Sequence, residues 1–434
     1  MYSRLIALPL LAGTLQASAA ALSRRTPEPA SFQSKSMRVA FTAVSDPYGF
    51  KNDDLQGDSN VAYIANITIA GQQFQVQLDT GSADLWVSPT SNFTAVNDTG
   101  IADTISYGDT SSASGNVYLG AVSFGNFSLP SQAFINAPGS NATGEGYSGI
   151  LGLGPQTLST IATNLENSTF NGNTTLNNIF AANPNVSTYM TFLLSRSELG
   201  LTDGGIFTIG EVDPDYANVT SQEKLPLVGE PYWSVFMDKV IVNGTEFCGN
   251  GLLSNASYDA GFPAEDYNKT IALLDTGTSL GYMPEYYFEA IYGQVENLTL
   301  VDASQGLYSL PCDTKLNVSM MFGGVEYPIN PLDLTYVTMS PSNATICASS
   351  FSPTNVSVGV DFILGDSFLR NVYSLFNFGN WTTAGDEAPY VQLLSATNQT
   401  QAWEDFERLN AARIMQFNEL DGQVNITSAN TTSA

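Results

Sequence analysis

The chain has 434 residues, with 41 acidic side chains against 14 basic ones and no histidine. Two of the acids, Glu28 and Asp46, and six of the bases lie at or before Lys51, so the remainder carries 39 acids against 8 bases, a formal charge of −31. Such a surface repels phosphate backbones and anionic membranes, which argues against nucleic-acid binding, and the lack of histidine leaves acid-base chemistry near neutrality to carboxylates.

The N-terminus reads as a secretory address. Arg4 precedes an apolar run at 5–12, and small residues follow at 17–21, the order of parts in a cleaved signal peptide over 1–21. The run is too short to span a bilayer. The expectation is a secreted, extracellular protein, with the cell wall or vacuole as alternative destinations. Residues 22–51 hold the dibasic pair Arg24-Arg25, then Lys35 and Arg38, and read as a pro-region. A basic segment of this kind could place Lys35 or Arg38 against an ionised acidic site and hold it silent. Asn-X-Ser/Thr sequons are dense for the composition; Asn66, Asn126, Asn218 and Asn317 are glycosylation candidates.

Short runs of Val, Ile, Phe and Tyr broken by Gly, Asn, Ser and Pro predict a mostly β protein, and the length suits two lobes. The first lobe is placed at 52–222. Residues 63–69 alternate apolar and polar, Gly71-Gln72 reads as a hairpin turn, and 74–78 lead into Asp79. The second lobe is placed at 223–395. It has strand-like runs at 232–237 and 239–242 broken at Asn243-Gly244, a Gly/Asn/Ser-rich surface insertion at 249–268, and an apolar run at 271–274 leading into Asp275. Residues 284–292 are a helix candidate with Pro at the first turn. In the tail, 396–434, Trp403, Phe406, Leu409, Ile414 and Phe417 fall loosely at helical intervals. The end from Val424 is Ser/Thr/Asn-rich and reads as unstructured. Whether the tail packs on the body is left open by the sequence.

Three cysteines are an odd number for an oxidising compartment. Cys312 and Cys347 share a β-rich stretch and are the expected pair, leaving Cys248 as a buried small apolar residue or a free thiol.

The two runs Leu78-Asp79-Thr80-Gly81-Ser82 and Leu274-Asp275-Thr276-Gly277-Thr278 nearly repeat each other, each after an apolar strand. One Asp-Thr-Gly is an ordinary turn. Two in the same context predict duplicated lobes that each supply one carboxylate, a pair able to share one proton. Gly81 and Gly277 allow close backbone approach. Thr80 and Thr276 can bond across the lobe interface, and Ser82 and Thr278 each bring a hydroxyl to the neighbouring carboxylate.

With these motifs the chain resembles the pepsin-like aspartic peptidases, the fungal secreted ones in particular, over roughly 59–395. The run from Asp79 to Val87 is similar to the family's first active-site motif, with its Trp86. Ile105-Ser106-Tyr107-Gly108-Asp109, followed by Ser111 to Gly115, is similar to the flap hairpin. Ile150-Leu151-Gly152 and Ile363-Leu364-Gly365 are similar to the elements behind the two catalytic loops, and Phe362 to Arg370 to the late second-lobe signature. The resemblance implies a bilobal fold of two related β-barrel-like lobes with the cleft between them. It implies a monomeric endopeptidase acting on polypeptides, with catalytic Asp79 and Asp275 and without cofactor or metal. It also implies a flap Tyr107 bonded to Trp86, substrate contacts at Gly108, Asp109 and Ser111, and a second-lobe disulfide at Cys312 and Cys347. Thr110 stands where fungal relatives usually carry glycine, and 90–100 lacks the family's first-lobe disulfide. A catalytically silent binding or inhibitor protein of the same fold is the alternative. A metal-dependent hydrolase would lack histidine ligands.

Overall fold

A computed structural model describes residues 36–45, 61–143, 147–196, 204–229, 231–254, 262–303, 306–340, 342, 344–353, 359–383 and 385–431. The expected signal peptide and Lys35 lie outside the described residues.

The first half of the chain forms β1 (Met37–Ser45), β2 (Val61–Ile69), β3 (Gln72–Asp79), β4 (Leu85–Val87), β5 (Val96–Ser106), β6 (Ser112–Phe124), β7 (Phe127–Asn136), β8 (Gly149–Gly152), β9 (Tyr189–Leu194) and β10 (Gly205–Ile209), with helices α1 (Thr160–Leu165) and α2 (Thr175–Ala182). The second half begins with β11 (Leu225–Pro226), β12 (Ser234–Met237), β13 (Lys239–Val242), β14 (Thr245–Phe247), β15 (Thr270–Leu274), β16 (Gly281–Met283) and α3 (Glu285–Tyr292). It continues through β17 (Thr299–Asp302), β18 (Leu307–Leu310), β19 (Val318–Phe322), β20 (Val325–Ile329), β21 (Thr335–Met339), β22 (Thr345–Ser349), β23 (Phe351–Pro353) and β24 (Phe362–Leu364). It ends with α4 (Asp366–Leu369), β25 (Val372–Asn377), β26 (Tyr390–Ser395) and α5 (Gln399–Thr431).

Each lobe builds its carboxylate the same way. Strand β3 exposes Gln73 and Gln75 while burying Phe74, Val76 and Leu78, the period-2 pattern of a half-buried strand. Its end pairs parallel with β8, Gln77 opposite Ile150 and Asp79 opposite Gly152, and β8 pairs antiparallel with β4. In the second lobe β15 pairs parallel with β24, Ala272 opposite Phe362 and Leu274 opposite Leu364, and β24 pairs antiparallel with β16. Gly152 presses on the backbone of Ala83 and Asp84, and Gly365 on the carbonyls of Thr278 and Leu280, where a Cβ would collide. The two apolar-apolar-Gly elements are therefore fixed by contact with the loops they support.

One sheet joins the lobes, in the order β11-β26-β25-β9-β10-β1-β2-β3 on that side. Strand β1 lies between β10 and β2, with Arg38 opposite Thr208 and Ala43 opposite Tyr63. The segment 37–45, inside the expected pro-region, pairs with β10 over 37–41 and with β2 over 42–45. Beneath the cleft Trp233 packs on Phe376, Phe378 and Trp381 with ring centroids 4.9–5.2 Å apart, and its Nε1 donates to Leu153 O at 3.2 Å.

Details of the turns depart from the sequence reading. Ile69 pairs with Gln72, so Ala70-Gly71 makes the first hairpin turn, one residue earlier than expected. The start of the 249–268 segment is packed: Leu253 is buried, and the Asp361 carboxylate accepts from Leu252 N at 2.7 Å and Ile271 N at 2.8 Å. The tail forms α5, with Asn398 Oδ1 accepting from Gln401 N at its start. Ala402, Phe406, Asn410 and Phe417 are buried against the second lobe, whereas Trp403 stays exposed with Lys315 over its ring. The helix runs to Thr431, through the Ser/Thr/Asn-rich end that composition reads as unstructured. Cys312 and Cys347 are joined, and Cys248 is an exposed free thiol, which removes the buried alternative. Among the described residues no helix is long and apolar enough to cross a membrane.

Candidate active site

Asp79 ends β3 and Asp275 follows β15, and the two loops meet at the base of the cleft. Gly81 lies so close to the opposite aspartate that an added Cβ would sit 2.6 Å from Asp275 Oδ1, and Gly277 crowds Asp79 in the same manner. Any larger residue at either position would displace the facing carboxylate. Gly81 N donates to Asp79 Oδ1 and Gly277 N to Asp275 Oδ1, both at 2.8 Å. The outer oxygens accept from hydroxyls: Ser82 Oγ donates to Asp79 Oδ2, and Thr278 Oγ1 to Asp275 Oδ2 at 2.7 Å. Each carboxylate thus sees the same two donors, and the arrangement is close to two-fold.

The loops are locked by the threonines between. Thr80 Oγ1 donates to Leu274 O at 2.8 Å and Thr276 Oγ1 to Leu78 O at 2.7 Å, and each hydroxyl accepts from the other threonine's N–H. Both side chains are fully buried. Burial, then the charge of Asp275, pushes Asp79 well above the usual carboxylate range, against the opposing pull of its Ser82 and Gly81 hydrogen bonds. Double ionisation of the pair is therefore disfavoured.

The expected flap is the hairpin of β5 and β6. Its tip closes by Tyr107 N to Ser111 O at 2.9 Å and Thr110 N to Tyr107 O at 3.1 Å, with Gly108 and Asp109 exposed between. Trp86 Nε1 donates to Tyr107 Oη at 2.6 Å. Burial first, then the charge of Asp79, raises the Tyr107 phenol, which stays protonated at any working pH. Asp109 Oδ1 accepts from Ser111 N at 2.9 Å and Ser111 Oγ at 2.6 Å. Thr110 adopts φ 69°, a left-handed backbone that a β-branched residue rarely takes.

Three further residues bear on the site. Tyr147 is pushed up to about 12 by burial and then by the charges of Asp109 and Asp79. Gln77 Nε2 donates to Gly277 O at 3.1 Å across the interface. Asp366 is completely buried and raised by burial, with Arg370 opposing and Asp275 adding to the shift. Of these only Asp366 carried a signal, its place in the 362–370 signature. Asn66, Asn126 and Asn218 are exposed; Asn317 is half-buried, its Oδ1 accepting from Gln399 Nε2 at 2.8 Å. Among the described residues no His, Cys, Asp and Glu side chains gather in threes as metal ligands do.

Residues 62–384 match the family described as eukaryotic aspartyl protease. The chain belongs to that family. Among its relatives, the major aspartyl peptidase 1 of Cryptococcus neoformans var. grubii is 26% identical over 360 residues, covering 75% of this chain and 68% of the relative. An aspartic protease of Phaffia rhodozyma is 28% identical over 335 residues, 72% of this chain and 73% of the relative. Cathepsin E of Mus musculus is 27% identical over 358 residues, 77% and 82% respectively. This aspartyl protease is thus an aspartic-type endopeptidase by family, with the bilobal pepsin-like fold. Both aspartate loops and the flap lie within the matched residues, and α5 lies beyond them.

Proposed function

We propose that the protein is a secreted endopeptidase that cleaves polypeptides in acid, with Asp79 and Asp275 acting as one catalytic unit. The observation that carries this reading is the mutual approach of the two loops, in which Gly81 meets Asp275 and Gly277 meets Asp79. The ionised carboxylate takes a proton from a water lodged between the pair while the water oxygen bonds to the peptide carbonyl carbon. The protonated carboxyl gives its proton to the carbonyl oxygen. The tetrahedral diol then collapses: the carboxyl that took the water's proton gives it to the amide nitrogen, the other carboxylate takes a proton from a diol hydroxyl, the C–N bond breaks, and an acid and an amine leave. No enzyme-bound acyl group forms. Thr80 and Thr276 hold the loops in register, and Ser82 and Thr278 orient the outer oxygens.

Tyr107, fixed by Trp86, closes over the substrate residue on the amino side of the cut bond, which favours bulky apolar side chains there. The signal at 1–21 directs secretion, and sequons at Asn66, Asn126 and Asn218 carry glycans. The dibasic Arg24-Arg25, ahead of β1, suits processing of the secreted chain; mass spectrometry of the secreted N-terminus checks this.

The deciding experiment is degradation of a denatured globin at about pH 4, with and without a statine-type transition-state analogue. Asp79→Asn and Asp275→Asn should each abolish turnover while leaving the fold intact, and the double variant should be little worse, because groups acting as a unit are not additive. Substantial turnover by either single variant would falsify the dyad. An inert wild type that still binds the analogue would make the protein a binder.

A further inference from the structure

Behind the second catalytic loop the chain gathers an uneven share of its positive charge. Only eight basic residues follow Lys51, and three of them, Arg196, Arg370 and Arg413, converge on the turn at 331–335. Arg196 bonds both carboxylate oxygens of Asp333, and Arg370 Nε donates to Oδ1 at 2.8 Å. Asn371 Nδ2 donates to Oδ2 at 2.9 Å.

Arg413 reaches the same turn from the docked face of α5. Its Nη1 donates to Leu332 O at 2.8 Å and Thr335 O at 2.7 Å, and its Nη2 to Thr335 Oγ1 at 2.6 Å. Its Nε is held by Asn410 Oδ1 at 2.9 Å, and Asn410 Nδ2 in turn donates to Cys312 O at 2.7 Å. Burial, and then Arg370, lower the Arg413 guanidinium to about 10; burial and the same neighbour lower Arg196 to about 9. Gathering cations away from water costs stability, and an apolar side chain on α5 would pack there without that cost.

The turn is linked to the chemistry by short steps. Arg370 caps α4, whose first residue, Asp366, donates its N–H to Thr278 O at 2.8 Å. Thr278 holds the outer oxygen of Asp275. The linker into α5 is tied to the same place: Ala396 N donates to Asn371 O at 2.8 Å and Thr397 Oγ1 to Asn371 Oδ1 at 2.6 Å. We infer that Arg413 is a positioning residue for peptide hydrolysis. It fixes the 331–335 turn, and with it Asp333, Arg370 and α4, behind the loop that carries Asp275. The C-terminal helix is then part of the support of the active site, although it lies outside the residues that define the family. This inference rests on the reading of Asp79 and Asp275 as the dyad.

The test uses the processed full chain and a chromogenic peptide, with active sites counted by titration with a tight-binding statine-type peptide. Arg413→Met should lower kcat per titrated site at least about fivefold, because small displacements of catalytic groups are costly, with KM within about twofold. Arg413→Lys should restore at least about half of kcat, since an ammonium keeps part of the donor set. Phe417→Ala removes apolar packing from the same helix face; it should lower Tm but leave kcat per site within about twofold. If Arg413→Met does not fold, Thr335→Val, which removes one acceptor, should lower kcat per site at least about twofold at unchanged KM. Unchanged kcat per site in Arg413→Met, or in Thr335→Val where the former fails to fold, overturns the inference. So does an equal loss in Phe417→Ala, which would make α5 only a structural brace. An inactive wild type sinks the dyad reading itself and is told apart because no variant is then needed.

Discussion

Thr80 and Thr276 exchange hydrogen bonds reciprocally, each hydroxyl accepting the other's backbone N–H, at 3.1 and 2.9 Å. The pair is fully buried, so a lost hydroxyl cannot be replaced by water. Thr80→Val strands the N–H of Thr276 and the carbonyl of Leu274, which should cost about 1–3 kcal/mol. Thr276→Val should cost about the same, and the double variant less than the sum, with a coupling of about 0.5–3 kcal/mol. Urea unfolding of the four proteins measures this; strict additivity would mean that the two loops are held independently.

Thr110 at the flap tip offers a second test. A left-handed β-branched residue is strained by about 1–2 kcal/mol, whereas glycine loses about 0.4–1 kcal/mol more chain entropy on folding. Thr110→Gly should therefore raise stability by about 0–1.6 kcal/mol. Its main effect should be a looser tip and a KM raised about threefold for peptide substrates. Calorimetry and steady-state kinetics report both; a lowered KM would refute the idea that stiffness there aids closure.

At Asp109 both bonds from Ser111 fall on Oδ1, and Oδ2 takes neither. An acidic oxygen presented beside Tyr107 suits a lysine on the amino side of the cut bond. Profiling a peptide library should find secondary cleavage after Lys, and Asp109→Ala should remove it while sparing cleavage after Phe and Leu. Rejection of Lys by the wild type would leave Asp109 as a turn residue only.

The pH dependence follows from several buried carboxyls that shift the same way. Asp79, Asp84, Asp103, Asp361 and Asp366 are all raised, in each case by burial first. A group whose folded pKa exceeds its unfolded value binds more protons when native. Its contribution is complete below the ordinary carboxylate range, about pH 4, and is lost as pH rises through the folded value. Stability should thus be greatest in acid and fall towards and beyond neutrality, in step with growing repulsion among the 39 acids after Lys51. Thermal melts from about pH 3 to pH 8 on processed protein test the sign. A Tm that rises across that window would contradict it.

The two Asp-Thr-Gly loops were legible because their requirements are local. Gly81, Gly277, Gly152 and Gly365 stand where another backbone or carboxylate leaves no room for a Cβ, so the motif and the geometry coincide. The place of strand β1 in the joining sheet was not legible: its partner at Arg38 is Thr208, far along the chain. The tail was half legible. Phe406 and Phe417 gave its inward face, but Trp403 proved exposed, and Asn410 and Arg413 turn inward to acceptors at Cys312, Leu332 and Thr335. A polar side chain that points inward leaves no mark in hydrophobic spacing.

The order in which the joining sheet is filled bears on biosynthesis. Strand β9 is paired on one edge by β10, from its own lobe, and on the other by β25, which leaves the ribosome much later. Until Asn377 has been made, the nascent first lobe carries β9 as an open, largely apolar edge, a template for wrong pairing with other chains. A chain stopped before β25 keeps that edge bare, so such truncated products would present chaperones and quality control with an open strand rather than a half-enzyme.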